Sequence, residues 1–293
     1  MNSDRCVVIV NTGGIGKIGD IPRFLFNMFS DARIVPAPGI LRVFIAFLIT
    51  MMRAKDTFRI LNAVGRSPIF EITKKQAEIL RKKTGVGVCY AFRYSYPSIK
   101  RCCKNPIIVP MYTFYSHTTH GSIMDYRYHT KPPLCIYPEF MELMVKKIKD
   151  AINDVPHTLR NKTLVLLSAH SIPLGLSENR HDPYKRDLEI FTNFLKKRIG
   201  IDIRLSFQSK LGPIRWLEPS TVASIKDASK QYKSIIVVPI SFTSENTETV
   251  YEIDKIYSKL VKSCGFEYFY RVPCLNYDDK FMSMLAEEIK RWI

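Results

Sequence analysis

Short apolar runs alternate with longer amphipathic segments along most of the chain, and this alternation constrains the fold more than any other feature. The runs at 6–10 and 235–240 are rich in valine and isoleucine, and helix-like segments such as 248–262 follow several of the runs. Such runs are typical of strands buried on both faces of a parallel sheet. Thr73 and Gln76 have the spacing of a capping box and predict that one helix begins at residue 73. The sequence therefore predicts an α/β fold with helices on both faces of parallel sheets.

The length fits two such domains. A chain of 293 residues is long enough for two domains of about 150 residues each. The second half repeats the alternation of the first, and we place the boundary between residues 137 and 138. The predicted domains are therefore 1–137 and 138–293.

The chain is strongly basic. It has 44 Lys and Arg against 27 Asp and Glu, which gives a formal charge of +17. Basic proteins usually bind nucleic acid, an anionic membrane surface or acidic small molecules. The basic residues are dispersed and no nucleic-acid-binding motif accompanies them. We therefore expect an anionic membrane or an acidic ligand as the partner, and no nucleic acid.

The cysteines and the N-terminus indicate a cytoplasmic protein. The seven cysteines lack the C-x-x-C spacing of a structural zinc site, and the opening residues lack the pattern of a signal peptide. We expect the thiols to be reduced, as is usual in the cytoplasm.

One apolar stretch, residues 39–52, is too short for a spanning helix, which needs about 20 apolar residues. It is either a buried core helix or an apolar lip that touches a membrane or covers a ligand site. Arg53 and Lys55 follow directly and favour the lip.

Polar residues that follow the apolar runs are the candidates for chemistry, because ligands of α/β proteins bind at the carboxyl ends of the strands. His170 follows the run 164–167, and Glu248 and Glu252, four residues apart, follow the run 235–240. An imidazole can accept a proton or bind a metal, and paired carboxylates can pass a cation or a proton. A histidine satisfied by a backbone carbonyl, and glutamates placed for the helix dipole, are the alternatives.

Basic, polar and aromatic residues near the same strand ends are candidates for substrate binding. Basic side chains suit carboxylate groups of a ligand, and aromatic rings suit a flat apolar one. These candidates are Thr12, Arg93, Tyr94, Tyr115, Ser171, Lys210 and Trp216.

Long segments of the chain resemble the ferrochelatase family. They include VIVNTGGIGKIGDIPRFLFNMFSDARIV, YAFRYSYPSI, VPMYTFYSHTTHGS, LLSAHSIPLGLSENRHDPY, SFQSKLGPIRWLEPST and VVPISFTSENTETVYEID. They occur in order over nearly the whole chain.

The resemblance implies insertion of ferrous iron into a porphyrin, the last step of haem synthesis by the protoporphyrin route. It implies two Rossmann-like domains with a cleft between them, as in other chelatases. The family's histidine falls on His170 and its glutamate on Glu248, which act as catalytic residues. His170, Glu248 and Glu252 are the expected metal ligands. Protoporphyrin is expected because the SAHSIP and ISFTSENTET segments look more like that branch, while coproporphyrin III and a non-catalytic porphyrin or haem carrier are the alternatives.

The chain departs from the family at several positions. Asn246 replaces a histidine found in many members, Thr12 replaces a methionine of animal members, and Ile256 replaces a carboxylate. His117 stands where animal members have a cysteine of their iron–sulfur cluster, and the C-terminal cysteines of that cluster are missing. We therefore expect no cofactor and no iron–sulfur cluster.

Overall fold

A computed structural model describes residues 5–103, 105–210 and 212–293. The chain forms two compact units. The first consists of the chain up to Pro133 together with residues 244–247 and 276–293, and the second consists of residues 134–243 and 248–275.

Each unit contains a parallel four-stranded sheet. The strand orders are β2-β1-β3-β4 in the first unit and β6-β5-β7-β8 in the second. The eight strands are β1 Arg5–Asn11, β2 Val88–Phe92, β3 Asn105–Pro110, β4 His129–Thr130, β5 Thr163–His170, β6 Ile203–Gln208, β7 Ser234–Val238 and β8 Tyr268–Arg271. β1, β5 and β7 are almost completely buried, which explains their apolar sequences.

Helices flank both sheets and confirm the predicted fold class. The α-helices are α1 Ile21–Phe29, α2 Gly39–Val64, α3 Ile69–Thr84, α4 His120–Met124, α5 Pro138–Asn153, α6 Leu174–Asn179, α7 Tyr184–Ile199, α8 Thr221–Ala228, α9 Ser258–Ser263 and α10 Asp279–Trp292. A π-helix, Thr249–Tyr257, leads directly into α9, where the sequence predicts one helix over 248–262.

The predicted start of α3 is wrong. Thr73 lies one turn inside the helix, where its hydroxyl donates to the carbonyl of Ile69. Gln76 donates instead to Ser244 Oγ at 3.0 Å and to the carbonyl of Asn276. The spacing of Thr73 and Gln76 therefore does not mark the start of a helix. Both side chains are buried, and they bond the helix backbone or residues distant in the chain.

The C-terminal helix belongs to the first unit, although the sequence-based division assigns it to the second domain. α10 packs against α3, and Lys83 Nζ binds Asp279 Oδ1 at 2.8 Å and Ser283 Oγ at 3.0 Å. This packing explains why residues 276–293 join the first unit. At the middle of the chain, the two units divide between residues 133 and 134, near the boundary drawn from the sequence.

The apolar stretch 39–52 is an exposed face and not a core helix. It forms the first half of α2, and Ile40 is 92% exposed and Met52 78%. Leu41, Val43, Phe44, Phe47, Leu48 and Met51 are also exposed. No helix among the described residues is both long and apolar enough to cross a membrane.

The expectation that all seven cysteines are reduced is wrong for one pair. Cys6 on β1 and Cys103, two residues before β3, form a disulfide. β1 and β3 are neighbours, with Cys6 opposite Pro106 in the register. This pairing brings the two thiols together although 97 positions separate them. The other five cysteines form no disulfide.

Candidate active site

His170 and Glu248 form the centre of the site in the second unit. His170 is the last residue of β5, and Glu248 immediately precedes the π-helix. His170 Nδ1 lies 2.8 Å from Glu248 Oε2, and the two side chains remain 38% and 36% exposed. The imidazole therefore bonds a carboxylate through Nδ1, and the alternative of a histidine satisfied by a backbone carbonyl does not hold for this nitrogen.

The main chain of His170 is held on both sides. Its N–H donates to Ser241 Oγ at 3.1 Å, and its carbonyl accepts from the hydroxyl of Tyr184 at 2.9 Å. The hydroxyls of Tyr184 and Ser241 are themselves 2.6 Å apart. The ring of Phe242 stands edge-on, with its centroid 6.2 Å from that of the imidazole. These contacts fix the direction in which the imidazole projects from the strand.

His170 and Glu248 each shift the pKa of the other toward its charged form. Burial lowers the pKa of His170, but the carboxylate of Glu248 outweighs this effect and the pKa is raised. Burial raises the pKa of Glu248, but His170 and the hydrogen bond from Ser209 outweigh it and the pKa is lowered. Both directions favour an ionised Glu248 that orients its imidazole partner.

Ser209 connects the two glutamates. Its hydroxyl lies 2.7 Å from Glu248 Oε2 and 2.6 Å from Glu252 Oε1. A hydroxyl has one proton to donate, so only one carboxylate can receive it. Glu252 Oε2 already accepts from the Ser209 N–H at 3.1 Å and from the Tyr257 hydroxyl at 3.0 Å. The arrangement is satisfied when Ser209 donates to Glu248 and a protonated Oε1 of Glu252 donates to Ser209.

The pKa of Glu252 agrees with this count of donors. Burial and the nearby charge of Glu248 raise the pKa of this carboxyl, which favours the protonated form. These directions favour an ionised Glu248 and a protonated Glu252, joined by the Ser209 hydroxyl. Such a chain can pass a proton from one end to the other.

The three predicted metal ligands meet in this hydrogen-bonded chain. In the described part of the protein, no group of three or more His, Cys, Asp or Glu side chains is arranged to hold a metal ion. Glu252 is directed to Ser209 and Tyr257 instead of to the imidazole. These contacts leave Glu252 hydrogen-bonded through both of its carboxylate oxygens.

Three substrate-binding candidates lie in the second unit. Ser171 is fully buried and its N–H donates to the carbonyl of Gln208 at 2.8 Å. The ammonium of Lys210 is ion-paired with Glu218, so a ligand carboxylate would compete with that partner. Trp216 is half-buried and pairs with Pro173 through a short antiparallel bridge.

Arg93 and Tyr94 form a buried cluster of the first unit around Asp31. Arg93 Nη2 lies 2.6 Å from Asp31 Oδ2, and the hydroxyl of Tyr94 donates to the same oxygen at 2.8 Å. The guanidinium also donates to Ser122 Oγ at 3.2 Å and covers the ring of Tyr94 at 4.8 Å. Burial raises the pKa of Tyr94, so the phenol stays protonated. These groups are already engaged with one another.

Thr12 and Tyr115 also lie in the first unit, each beside an aromatic or histidine side chain. Thr12 Oγ1 is 3.2 Å from the hydroxyl of Tyr112. The Tyr115 hydroxyl lies 3.3 Å from His117 Nδ1, and its ring centroid is 5.3 Å from that of His120. His120 is buried, and burial lowers its pKa to about 4.

Several residues of the two clusters are not among the candidates predicted from the sequence. Ser209, Ser241 and Tyr184 hold the pair His170 and Glu248, Tyr257 holds Glu252, and Asp31 holds Arg93. Ser209 and Ser241 follow the apolar runs of β6 and β7 and could be found by that position. Tyr184, Tyr257 and Asp31 lie on or beside helices, and only the tertiary structure brings them to the site.

The chain matches ferrochelatases along its length. The sequence model of the ferrochelatase family matches residues 4–292. The ferrochelatase of Geotalea daltonii is 32% identical over 99% of this chain and 98% of its own. The ferrochelatase of Geobacter metallireducens is 33% identical over 99% of both chains, and that of Aquifex aeolicus is 32% identical over 97% and 98%.

Two solved structures share the fold. CbiX, the terminal enzyme for biosynthesis of sirohaem in denitrifying bacteria, aligns over 99% of both chains with a TM-score of 0.55 and 14% identity. A multi-domain protein of Deinococcus radiodurans with structural similarity to chelatases aligns over 99% of this chain and 55% of its own, with a TM-score of 0.53 and 11% identity. The matches in sequence along the whole length place this chain in the ferrochelatase family.

Proposed function

We propose that the protein inserts Fe²⁺ into protoporphyrin IX to give protohaem, with release of two protons. Membership of the ferrochelatase family supports metal insertion into a porphyrin. The observation that carries the proposal in this chain is the 2.8 Å bond between His170 Nδ1 and Glu248 Oε2. It places a base and an ionised carboxylate side by side at the carboxyl end of β5, where α/β proteins bind their ligands.

Metallation must remove two pyrrole N–H protons and bring in a dication. With Nδ1 bonded to Glu248, the imidazole of His170 has Nε2 left to accept a pyrrole proton or to meet the iron. The charge of Glu248 stabilises the imidazolium that forms. Ring distortion that exposes the nitrogen lone pairs would be driven by binding of the rest of the macrocycle.

We assign Ser209 and Glu252 to the movement of protons away from the catalytic pair. A proton that reaches Glu248 can pass to the Ser209 hydroxyl while Ser209 gives its own proton toward Glu252. For net transfer, Glu252, which is only partly buried, must first release its own proton to water and can then receive the proton of Ser209. As a metal ligand, Glu252 would have to give up its hydrogen bonds to Ser209 and Tyr257.

The proposed substrate-binding residues differ in how readily they can contact a porphyrin. Thr12, Tyr115 and Trp216 keep partial exposure and are available to line a flat ligand. Arg93 and Lys210 would bind propionates only by sharing Asp31 or releasing Glu218. Tyr94 and Ser171 are buried, and we assign them to support of the neighbouring loops. We further propose that the protein carries no iron–sulfur cluster, and iron analysis of the purified protein tests this.

We propose protoporphyrin, the less acidic porphyrin, as substrate, and a membrane surface as the place where it is collected. The exposed apolar half of α2 suits an apolar substrate and a lipid surface. α2 also carries four basic residues against one acidic residue, Asp56, which favours anionic headgroups. A protein working at that surface would be cytoplasmic and peripherally bound.

The experiment that tests the function is anaerobic metal insertion by the purified protein. Protoporphyrin IX and Fe²⁺ should give the absorption bands of protohaem at a rate that depends on enzyme concentration, and coproporphyrin III should react more slowly. Faster reaction of coproporphyrin III would overturn the substrate assignment. Tight porphyrin binding without metal insertion by either substrate would identify a carrier.

A further inference from the structure

A pocket of the first unit lies at the amino end of the strands of its sheet. Its volume is about 360 Å³, and it lies where β3 begins, at Asn105, Pro106 and Ile107. Thr12 and Arg93 follow the carboxyl ends of the neighbouring strands β1 and β2. Because strands rise about 3.3 Å per residue, the length of β3 separates the two ends by roughly 16 Å. The pocket is therefore separate from the residues assigned to porphyrin binding in this unit.

Basic side chains line this pocket, and no acidic side chain does so in the part of the chain that the structure describes. Arg127, His129 and Lys131 lie on the segment that forms β4, and all three contribute to the wall. The guanidinium of Arg127 has no hydrogen-bond or ion-pair partner among the described residues. Burial lowers the pKa of Lys131 and the carboxylate of Glu288 acts to raise it, but this carboxylate is ion-paired with Arg291 and does not line the pocket. Among the described residues, the wall thus gathers positive charge that no acidic lining residue neutralises.

Two aromatic rings complete the wall. Trp292, at the end of α10, holds the Lys131 ammonium 4.6 Å from its ring centroid. Tyr128 stacks on Tyr126 with a centroid distance of 6.3 Å and an angle of 6° between the planes. Aromatic walls with a few converging polar groups are typical of sites for small flat molecules, and the volume lies in the lower part of their range.

We propose that this pocket binds a small phosphomonoester on a flat ring, of the size of a nucleoside monophosphate. A phosphomonoester carries close to two negative charges at neutral pH and three terminal oxygens. Arg127 and Lys131 match the two charges, and the imidazole of His129 can add a hydrogen bond, whereas a carboxylate has one charge and two oxygens. The arginine can bind two oxygens as a fork, and the lysine acts as a point charge. Trp292 and Tyr128 would contact the ring.

The tryptophans give a direct readout, because the chain has only Trp216 and Trp292. In a Trp216→Phe variant, adenosine monophosphate should change the emission of Trp292 along a saturating curve, with a dissociation constant below about 1 mM. In a Trp292→Phe variant the change should disappear. Absence of a saturating change in Trp216→Phe, or its persistence in Trp292→Phe, would overturn the proposal.

Charge variants and partial ligands test the chemistry. The double change Arg127→Gln and Lys131→Gln should weaken binding about tenfold or more. The control pair Lys226→Gln and Lys259→Gln removes equal charge from exposed positions of the second unit and should leave binding unchanged. An equal loss of affinity in both double variants would show that only the net charge of the protein matters, and it would contradict binding in this pocket. Inorganic phosphate and adenosine should each bind more weakly than adenosine monophosphate. If inorganic phosphate binds equally well, the ring does not contribute to binding. If adenosine binds equally well, the phosphate does not contribute.

Discussion

Ser209 binds Glu252 twice, through its main-chain N–H to Oε2 at 3.1 Å and through its hydroxyl to Oε1 at 2.6 Å. Ser209 adopts a left-handed backbone with φ of 63°, which is uncommon for residues other than glycine. This backbone directs the N–H and the hydroxyl of one residue toward the same carboxyl. The same hydroxyl reaches Glu248, so one strained residue joins both glutamates.

Replacement of Ser209 by glycine should slow metal insertion without weakening porphyrin binding. Glycine accepts the left-handed backbone, so Ser209→Gly removes the hydroxyl alone. We expect kcat to fall by about 10-fold to 100-fold, with little change in KM for the porphyrin and a shifted pH profile of kcat. Ser263→Gly, at an exposed position of α9, serves as the control. An unchanged kcat and pH profile in Ser209→Gly would show that the hydroxyl carries no proton.

His120 should make the folded state sensitive to acid. Burial lowers its pKa to about 4, below the ordinary value near 6.5. The folded state therefore binds this proton less readily than the unfolded state, and stability is complete above about pH 6.5 and falls as the pH drops toward 4. The loss attributable to this histidine is about 3 kcal/mol.

Urea unfolding at neutral and acidic pH measures this effect. His120→Gln should be less stable than the parent at neutral pH, because the substitution disturbs a buried position, but should lose less stability on acidification. The exposed His157→Gln provides the matched control. The histidine is not the cause if the parent and His120→Gln lose equal free energy of unfolding between the two pH values.

The sequence predicts local features of this protein well and tertiary ones poorly. The apolar runs of β1, β5 and β7 predict strands because burial on both faces leaves little choice of residue. His170 and Glu248 follow such runs, so position alone makes them candidates. The π-helix, however, arises within a segment whose apolar spacing also fits an α-helix.

Contacts distant in the chain explain the remaining differences. α10 joins the first unit through Lys83, and Gln76 reaches Ser244 and Asn276. The disulfide of Cys6 depends on the register of β1 and β3. None of these contacts can be predicted from a single sequence, because each depends on which helices and strands pack together in the folded protein.

The exposed face of α2 should bind anionic lipid vesicles. Phe47 and Met51, one helical turn apart, are 54% and 64% exposed. Changing both to Glu should abolish co-sedimentation with vesicles that contain phosphatidylserine, because two charges would be buried in the interface. Ile190→Glu changes an apolar residue that is 59% exposed on α7 and should leave binding intact. Equal binding of the parent to neutral and anionic vesicles would contradict a role for the basic residues.

The most direct test of the account is metal insertion by variants of the pair His170 and Glu248. His170→Ala and Glu248→Gln should each lower kcat by at least about 100-fold, while porphyrin fluorescence titrations show that the substrate still binds. His157→Ala and Glu142→Gln, at exposed positions of the second unit, should keep parental rates. If His170→Ala and Glu248→Gln both insert Fe²⁺ at the rate of the parent, the pair is not the catalytic centre.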